Sequence, residues 1–594
     1  MPALALGRVP SGISRVLSAT RDRLRYIEFD SQGGAFEKEA ENGYNFGEMD
    51  KTAPFAMSGF ETLEPEIRRI LSGLDDADVI ARIWRRDHTV WKNRDEEIST
   101  RLGWLDGPDR AAESADGFES FAREVAADGL TGALLLGMGG SSLASEVLRD
   151  VFGTSAGRLK LSILDSTDPD AVRTAAEAAP LEKTLVVVSS KSGTTLETAL
   201  FLNYFYTLIC DRVGRARAGA YFVAITDPGT PLELTARRLG FRRVFSGDPD
   251  IGGRFSVFSP FGLVPAALLG VDILTLAERG RRAARACRIA DATANPGARL
   301  GTILAVAALA GRDKQRFVLP PAIVSFGAWL EQLLAESTGK EGRGFLPLVR
   351  ELPAPRDKFW ADALEISIGL GPVSTETEAL GKEPGAPAIA FSLEDRYEIG
   401  FQFFLWEMAT AVAGHILKIN PFDQPNVAAS KKKTEAVLAS CGGSGGRPVE
   451  LKADVRGLRD FLKSVRPGDY IALQAFIAPS ENNAAALRRL AVKLQKRTGR
   501  PATFDFGPRF LHSTGQLHKG GRDNGLFIQL TSDHKRDLPV PAEPGAAATR
   551  FTFGSVEDAQ AQGDRETLEA LGRRVLRVHL SRLPDDLARL AETL

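Results

Sequence analysis

Between residues 130 and 225 the chain carries four apolar runs of strand length, at 130–136, 160–164, 184–188 and 221–225. Stretches of helical spacing separate them. Strands joined by crossover helices predict a parallel, doubly wound α/β sheet. Upstream, Ile67, Ile70 and Leu71, then Ile80, Ile83 and Trp84, recur at helix spacing and predict a helical cap over 62–125. Residues 1–60 begin with a short helical pattern and then turn polar and glycine-rich, as a loosely ordered arm would. Residues 261–335 read as mainly helical, broken by Arg316-Phe317-Val318-Leu319-Pro320-Pro321, and a second helix-rich block closes at about 440. There Cys441-Gly442-Gly443-Ser444-Gly445-Gly446 forms the clearest linker of the chain. Beyond it, Tyr470–Ile477 and Leu526–Leu530 read as strands around the helix Asn483–Arg497, so the block after 300 predicts another sheet. Pro539–Thr549 reads as a surface loop. The pattern divides the chain into a lead-in of 1–125, a first α/β domain of 126–300 and a second of 301–594, with a linker near 441–447.

A net charge of −1 over 594 residues provides no global field for nucleic acid or for an acidic membrane. Cys210, Cys287 and Cys441 are too few and too scattered for a disulfide framework or a clustered zinc site. No apolar run approaches a membrane span, and no apolar signal core follows the N-terminal arginines. The expectation is a soluble, cytoplasmic protein with no membrane or nucleic-acid partner.

Chemistry concentrates in a few loops. Gly137-Met138-Gly139-Gly140-Ser141-Ser142 follows the first apolar run, and Ser189-Ser190-Lys191-Ser192-Gly193-Thr194-Thr195 follows the third. Each places backbone N–H groups and hydroxyls where a helix begins, and the helix dipole there favours an anion. Together the loops read as one cradle for the phosphate of a small molecule. Further on, Phe326, Trp329, Leu330, Leu333 and Leu334 share one apolar helix face, which leaves Glu331 opposite and solvated. Glu336 flanks the stripe at the helix end, where partial desolvation suits a general base. In Gly252-Gly253-Arg254 the arginine can hold a developing oxyanion.

Asn420–Pro425 ends a helix that starts near Tyr397, and Lys431, Lys432 and Lys433 follow. His415 lies on an apolar face and reads as a packed, hydrogen-bonded residue. His512 and His518 fall in a polar, glycine-bounded stretch, without the i, i+4 helical spacing or the cysteines of a zinc site. That makes His512 a proton-transfer candidate and His518 a surface histidine.

Five of these segments, in this order, resemble the phosphoglucose isomerase family: Gly137–Ser141, Ser190–Thr195, Gly252–Ser256, Glu336–Lys340, and Phe422-Asp423-Gln424 with a lysine seven residues on. The chain is most similar to the isomerase half of bifunctional transaldolase–phosphoglucose isomerase proteins. Those share a helical lead-in like Trp84–Leu105, the Phe-Asp-Gln-Pro form and a late His-Ser-Thr-Gly-Gln-Leu-His segment. The residues before 130 are too few for a transaldolase barrel.

The resemblance implies two doubly wound, parallel-sheet sugar isomerase domains with an N-terminal helical region. It implies interconversion of glucose 6-phosphate and fructose 6-phosphate through a cis-enediolate, with no metal or organic cofactor. The implied partners are a phosphorylated hexose and, functionally, a transaldolase. Ser141, Ser190, Ser192 and Thr195 match the phosphate-binding positions, with Gly140 and Thr194 beside them and Lys191 near the loop. Glu336 matches the base, Arg254 the stabiliser of the enediolate, and Gln424 a substrate contact. Lys431 matches the lysine that, with a histidine, assists ring opening, and His512 is the candidate for that histidine. In the usual family order the histidine segment precedes Phe-Asp-Gln, whereas here it follows. Asn426 and Ala428 also stand where the family has a small residue and an acid. Two other readings are open: an isomerase of another hexose with an anion at C6, or a non-catalytic sugar-phosphate sensor that could dispense with Glu336.

Overall fold

The computed structural model describes residues 16–20, 23–29, 35–39, 54–350, 361–371, 387–440 and 455–594. Met1–Lys51 and Thr52–Leu594 form two compact units. In the first, Val16–Thr20, Arg23–Phe29 and Ala35–Glu39 make a three-stranded antiparallel sheet, where the sequence pattern suggested a helix and then a loose arm. Everything that follows belongs to the second unit.

The four expected runs form neighbouring parallel strands, Gly132–Leu136, Lys160–Leu164, Thr184–Ser189 and Phe222–Thr226. A fifth strand, Arg243–Ser246, closes one edge. Its arginine and its exposed ends, Arg243 and Ser246, hide it from a search for apolar runs. Gly132–Leu136 lies directly beside Thr184–Ser189, with Leu136 opposite Val188. Both phosphate-type loops therefore leave the same carboxyl edge side by side, where open α/β sheets bind ligands.

The second five-stranded sheet contains Leu346–Leu348, Lys314–Val318, Ala363–Leu370 and Ala388–Leu393 in parallel, in that order. Phe55–Ser58 completes it antiparallel, so the end of the supposed arm is an edge strand. Ala363–Leu370 escapes the sequence reading because Glu365 interrupts it. That carboxylate is buried, and Arg316 on the adjacent strand pairs with it at 2.5 Å. Ile399–Leu417, buried nearly all round, packs against Pro296–Leu309 and Ile273–Ala286 to form the helical core.

The block after 300 holds a further sheet. Ala502–Phe506, Tyr470–Phe476, Gly525–Ser532 and Arg574–Leu580 form four parallel strands, with Glu481–Thr498 as the predicted helix. Pro539–Pro541 and Thr549–Thr552 pair as a short hairpin at the ends of the expected surface loop. The linker at 441–447 lies outside the described residues.

Phe326–Thr338 shows how the pieces meet. Its apolar stripe faces the helical core as predicted, yet Glu331, Gln332, Glu336, Ser337 and Thr338 are buried as well. The polar face is covered by the Arg509–Gly520 segment of the four-stranded sheet, which contributes His512 and Ser513. Glu331 is thus not solvated but 4% exposed, and it accepts a hydrogen bond from Ser513.

Candidate active site

The two loops come together because their glycines leave room. A side chain at Gly140 would bring its Cβ within 2.2 Å of the Gly253 carbonyl oxygen, and Gly139 has φ +54°. The Gly140 loop and the Arg254 turn can approach this closely only without that Cβ. Ser189 Oγ donates to the Ser141 carbonyl at 2.9 Å, which ties the loops to each other. Ser190 Oγ lies 3.0 Å from Thr195 Oγ1, and Ser192 Oγ lies 2.9 Å from Thr194 Oγ1. Thr195 is the N-cap of Leu196–Val213 and makes no side-chain cap bond, so the first N–H groups of that helix are open to an anion. Lys191 turns away from these hydroxyls. Its ammonium donates to Asp227 at 2.6 Å and to the Asp248 carbonyl at 2.7 Å, and burial pulls it below the usual lysine range.

Arg254 lies at the centre of the buried polar web. Its Nε donates to Ser337 at 2.7 Å and its Nη2 to the carbonyls of Pro421 at 2.6 Å and Asp423 at 3.0 Å. Nη1 reaches Gln424 Oε1 at 3.4 Å and lies 3.6 Å from the Glu336 carboxylate. Burial lowers the guanidinium from the ordinary arginine range, against the pull of Glu336 and Asp423. Lys340 braces the same turn from below, donating to the Asn420 and Asp423 carbonyls at 2.6 Å and pairing with the Asp423 carboxylate at 2.7 Å. Burial and the Arg254 charge push its ammonium down to about 7 despite Asp423.

His512 enters from the four-stranded sheet, on the turn Arg509–His512. Arg509 docks that turn on Glu146 at 2.5 Å and Asp165 at 2.8 Å. Gln332 Nε2 donates both to Glu336 Oε2 at 3.0 Å and to the His512 carbonyl at 2.7 Å. The imidazole Nε2 lies 3.1 Å from Glu197 Oε1, which also accepts from Gln560 at 2.7 Å. Burial works to raise the Glu197 carboxyl, but the facing imidazole outweighs it and holds it below the usual range. Lys431, exposed on Pro425–Ser440, lines a pocket of about 50 Å³ together with Thr194, Glu197, His512, Lys519 and Gln560. Gln424 is exposed at the rim.

Two expectations for histidines separate here. His415 is packed as expected, its Nδ1 2.5 Å from the Val90 carbonyl. His518 is not a surface residue: it is buried among Tyr470, Phe510 and Phe527, and burial pushes it well below its ordinary value into the neutral form. Glu331, also placed on the surface by sequence, is pushed up to about 7 by burial and by Asp505. Sequence reading also passed over Gln332, Glu197, Lys340 and the buried pair of Lys519 with Asp564 at 2.6 Å. Only Glu197 carries a local signal, an acid in the first turn after a phosphate-type loop.

The arrangement combines an anion cradle, a buried carboxylate against a guanidinium, and an imidazole oriented by a second carboxylate. It can hold a phosphorylated small molecule, move a proton and stabilise an oxyanion. The family model described as phosphoglucose isomerase matches residues 116–342, a span that includes both loops, Arg254 and Glu336 and ends before Gln424, Lys431 and His512. A glucose-6-phosphate isomerase of Geobacter sp. (strain M21) is 30% identical over 413 residues, covering 58% of this chain and 76% of the relative. The glucose-6-phosphate isomerase of Citrifermentans bemidjiense is 29% identical over 448 residues, covering 66% of this chain and 81% of the relative. Among solved structures, a hypothetical protein of Thermus thermophilus shares the fold at TM-score 0.54 and 23% identity, over 65% of this chain and all of its own. The chain belongs to the phosphoglucose isomerase family.

Proposed function

We infer that this chain is an aldose–ketose isomerase that interconverts glucose 6-phosphate and fructose 6-phosphate. The observation that carries the reading is Glu336 held 3.6 Å from Arg254 while Gln332 joins that carboxylate to the His512 backbone. A C–H proton beside a carbonyl is weakly acidic, so its removal needs a positioned base and a cation at the developing oxyanion. Glu336 takes the proton from C2 and returns it to C1, and Arg254 holds the enediolate between. Opening the cyclic sugar comes first, with His512 and Lys431 passing protons to the ring oxygen and from the hydroxyl. Glu197 supports the charged imidazole of His512 during that step. The hydroxyls of Ser141, Ser190, Ser192, Thr194 and Thr195, with the open N–H groups at Gly140 and after Thr195, receive the phosphate. Lys191, held by Asp227, contributes a charge behind the loop, and Gln424 meets the substrate at the rim.

The same reading carries the domain division at 125 and 300, a cytoplasmic location, and a functional link to a transaldolase, which shares phosphorylated sugars with this reaction. Among the described residues no helix is long and apolar enough to cross a membrane.

The test is fructose 6-phosphate with the purified chain, glucose 6-phosphate being read by a coupled dehydrogenase beside Glu336→Gln. The variant should lose turnover and the exchange of a C1 proton of fructose 6-phosphate with solvent while still binding a phosphorylated competitive inhibitor. Undiminished turnover removes Glu336 as the base. A folded wild type that binds the sugar phosphate without converting it favours a different C6-anionic hexose or a sensor.

A further inference from the structure

Away from the active site, Asp168, His534 and Glu557 converge so that one ligand atom of each lies within 4.8 Å of the other two. They come from three elements. Asp168 caps Pro169–Glu177 at the edge of the first sheet, His534 follows the strand Gly525–Ser532, and Glu557 lies near the start of Phe553–Ala570. Asp168 is 4% and Glu557 1% exposed, and the His534 side chain is 9% exposed.

Glu557 is the informative member. Both of its carboxylate oxygens are buried and neither has a hydrogen-bond partner. Oε2 faces His534 Nδ1 at 3.7 Å. On its other side the imidazole Nε2 lies 3.2 Å from Asp558 Oδ1, which can accept its proton. With that tautomer the Nδ1 lone pair points at a buried carboxylate, and only a shared proton or a cation reconciles the two. The cluster is also reachable, because Asp168 and His534 line a cleft of about 850 Å³ between the first sheet and the four-stranded sheet.

We propose that Asp168, His534 and Glu557 bind one divalent cation of the first transition row, with Asp558 orienting the imidazole from behind. One imidazole nitrogen and two carboxylates make a donor set suited to Zn²⁺ or Mn²⁺, and ligand bonds of about 2.0–2.2 Å set such donors about 3.3–3.6 Å apart, close to the 3.7 Å between His534 and Glu557. An acid behind the histidine is the usual means of fixing a metal-bound imidazole. The ion would clamp Phe553–Ala570 onto the loop before Pro169. That junction continues to the isomerase site: Thr167 donates to Gln560 at 2.7 Å, and Gln560 donates to the Glu197 that faces His512.

The experiment uses the full chain, stripped with EDTA, desalted and titrated with ZnCl₂ or MnCl₂ by calorimetry, with melting temperature read in parallel. The expected result is one ion of at least one of the two metals per chain and a rise in melting temperature on loading. Glu557→Gln and, separately, His534→Gln should remain folded by circular dichroism and weaken binding by about tenfold or more. Wild-type protein that binds neither ion stoichiometrically overturns the proposal, and so do two folded variants that bind as the wild type does. Neither readout depends on isomerase turnover, so the outcome is independent of the catalytic reading.

Discussion

Gln332 reaches the carbonyl of His512 at 2.7 Å across 180 residues of sequence, and the same amide nitrogen donates to Glu336 at 3.0 Å. One neutral side chain therefore sets the position of the proposed base relative to the proposed ring-opening histidine. Gln332→Ala leaves a buried carboxylate oxygen and a buried carbonyl each short of a donor, a loss of about 1–3 kcal/mol for each unpaired group. Expressed in the transition state, this predicts a fall in kcat of about ten- to a hundredfold. KM should change little, since the hydrogen bonds of Gln332 go to Glu336 and the His512 carbonyl and not to the phosphate loops. Steady-state kinetics on fructose 6-phosphate decide it: a change confined to KM would show that Gln332 serves binding rather than alignment.

Thr195 caps its helix without a side-chain bond to it, and its Oγ1 lies 3.0 Å from Ser190 Oγ. Thr195→Ala removes one hydroxyl from the cradle while leaving the helix N–H groups in place. A hydrogen bond to a charged group is worth about 1.5–3 kcal/mol, so inhibition by a phosphorylated competitive inhibitor should weaken about tenfold or more. kcat at saturating substrate should hold. An unchanged inhibition constant would remove this hydroxyl from the phosphate site.

Arg254 distributes its three nitrogens over Ser337, Gln424 and the carbonyls of Pro421 and Asp423. A lysine cannot reproduce that fork with one nitrogen. Arg254→Lys keeps the charge near Glu336 yet leaves the Pro421 carbonyl without its donor, while Lys340 still serves that of Asp423. Loss of an oxyanion donor typically costs about 10²–10³ in kcat. A planar anionic analogue of the enediolate should lose affinity by a comparable factor, and the ground-state sugar phosphate by much less. Equal losses for both ligands would mean that Arg254 only supports the fold.

The legible part of this chain is the part whose side chains bury through their own sequence neighbours. Leu134, Val186 and Val223 lie in continuous apolar runs because helices cover both faces of their sheet, and such runs announce strands at once. Arg243–Ser246 and Ala363–Leu370 do not, since their polar residues are neutralised by partners outside the local window, as Arg316 does for Glu365. The same reason governs the site. Glu336 and Arg254 stand out locally, by a helix end and a glycine pair. Gln332, Glu331 and Lys340 look like ordinary surface residues until the 509–521 segment and the 420–423 turn close over them. Amphipathic spacing reports one buried face of Phe326–Thr338 and has no means of announcing a second, polar one.

Glu331 offers a pH-dependent test of that closure. It lies against Ser513, next to His512, and burial with the Asp505 charge pushes its carboxyl up to about 7 from 4.5, against the pull of Arg350 and Arg509. Between those two values the folded protein holds a proton that the unfolded chain has released. The native state therefore binds more protons than the unfolded state, and stability falls as pH rises through this window. Below 4.5 both states are protonated at this position and the loss is absent; above 7 both are ionised and it is complete. Glu331→Gln keeps a neutral acceptor for Ser513 at every pH and should abolish this share of the dependence. Melting temperatures of wild type and variant should therefore run close together near pH 4.5, with the variant progressively more stable as pH rises to about 7. Parallel curves over that range would place Glu331 ionised in the folded protein, with Arg350 and Arg509 outweighing its burial.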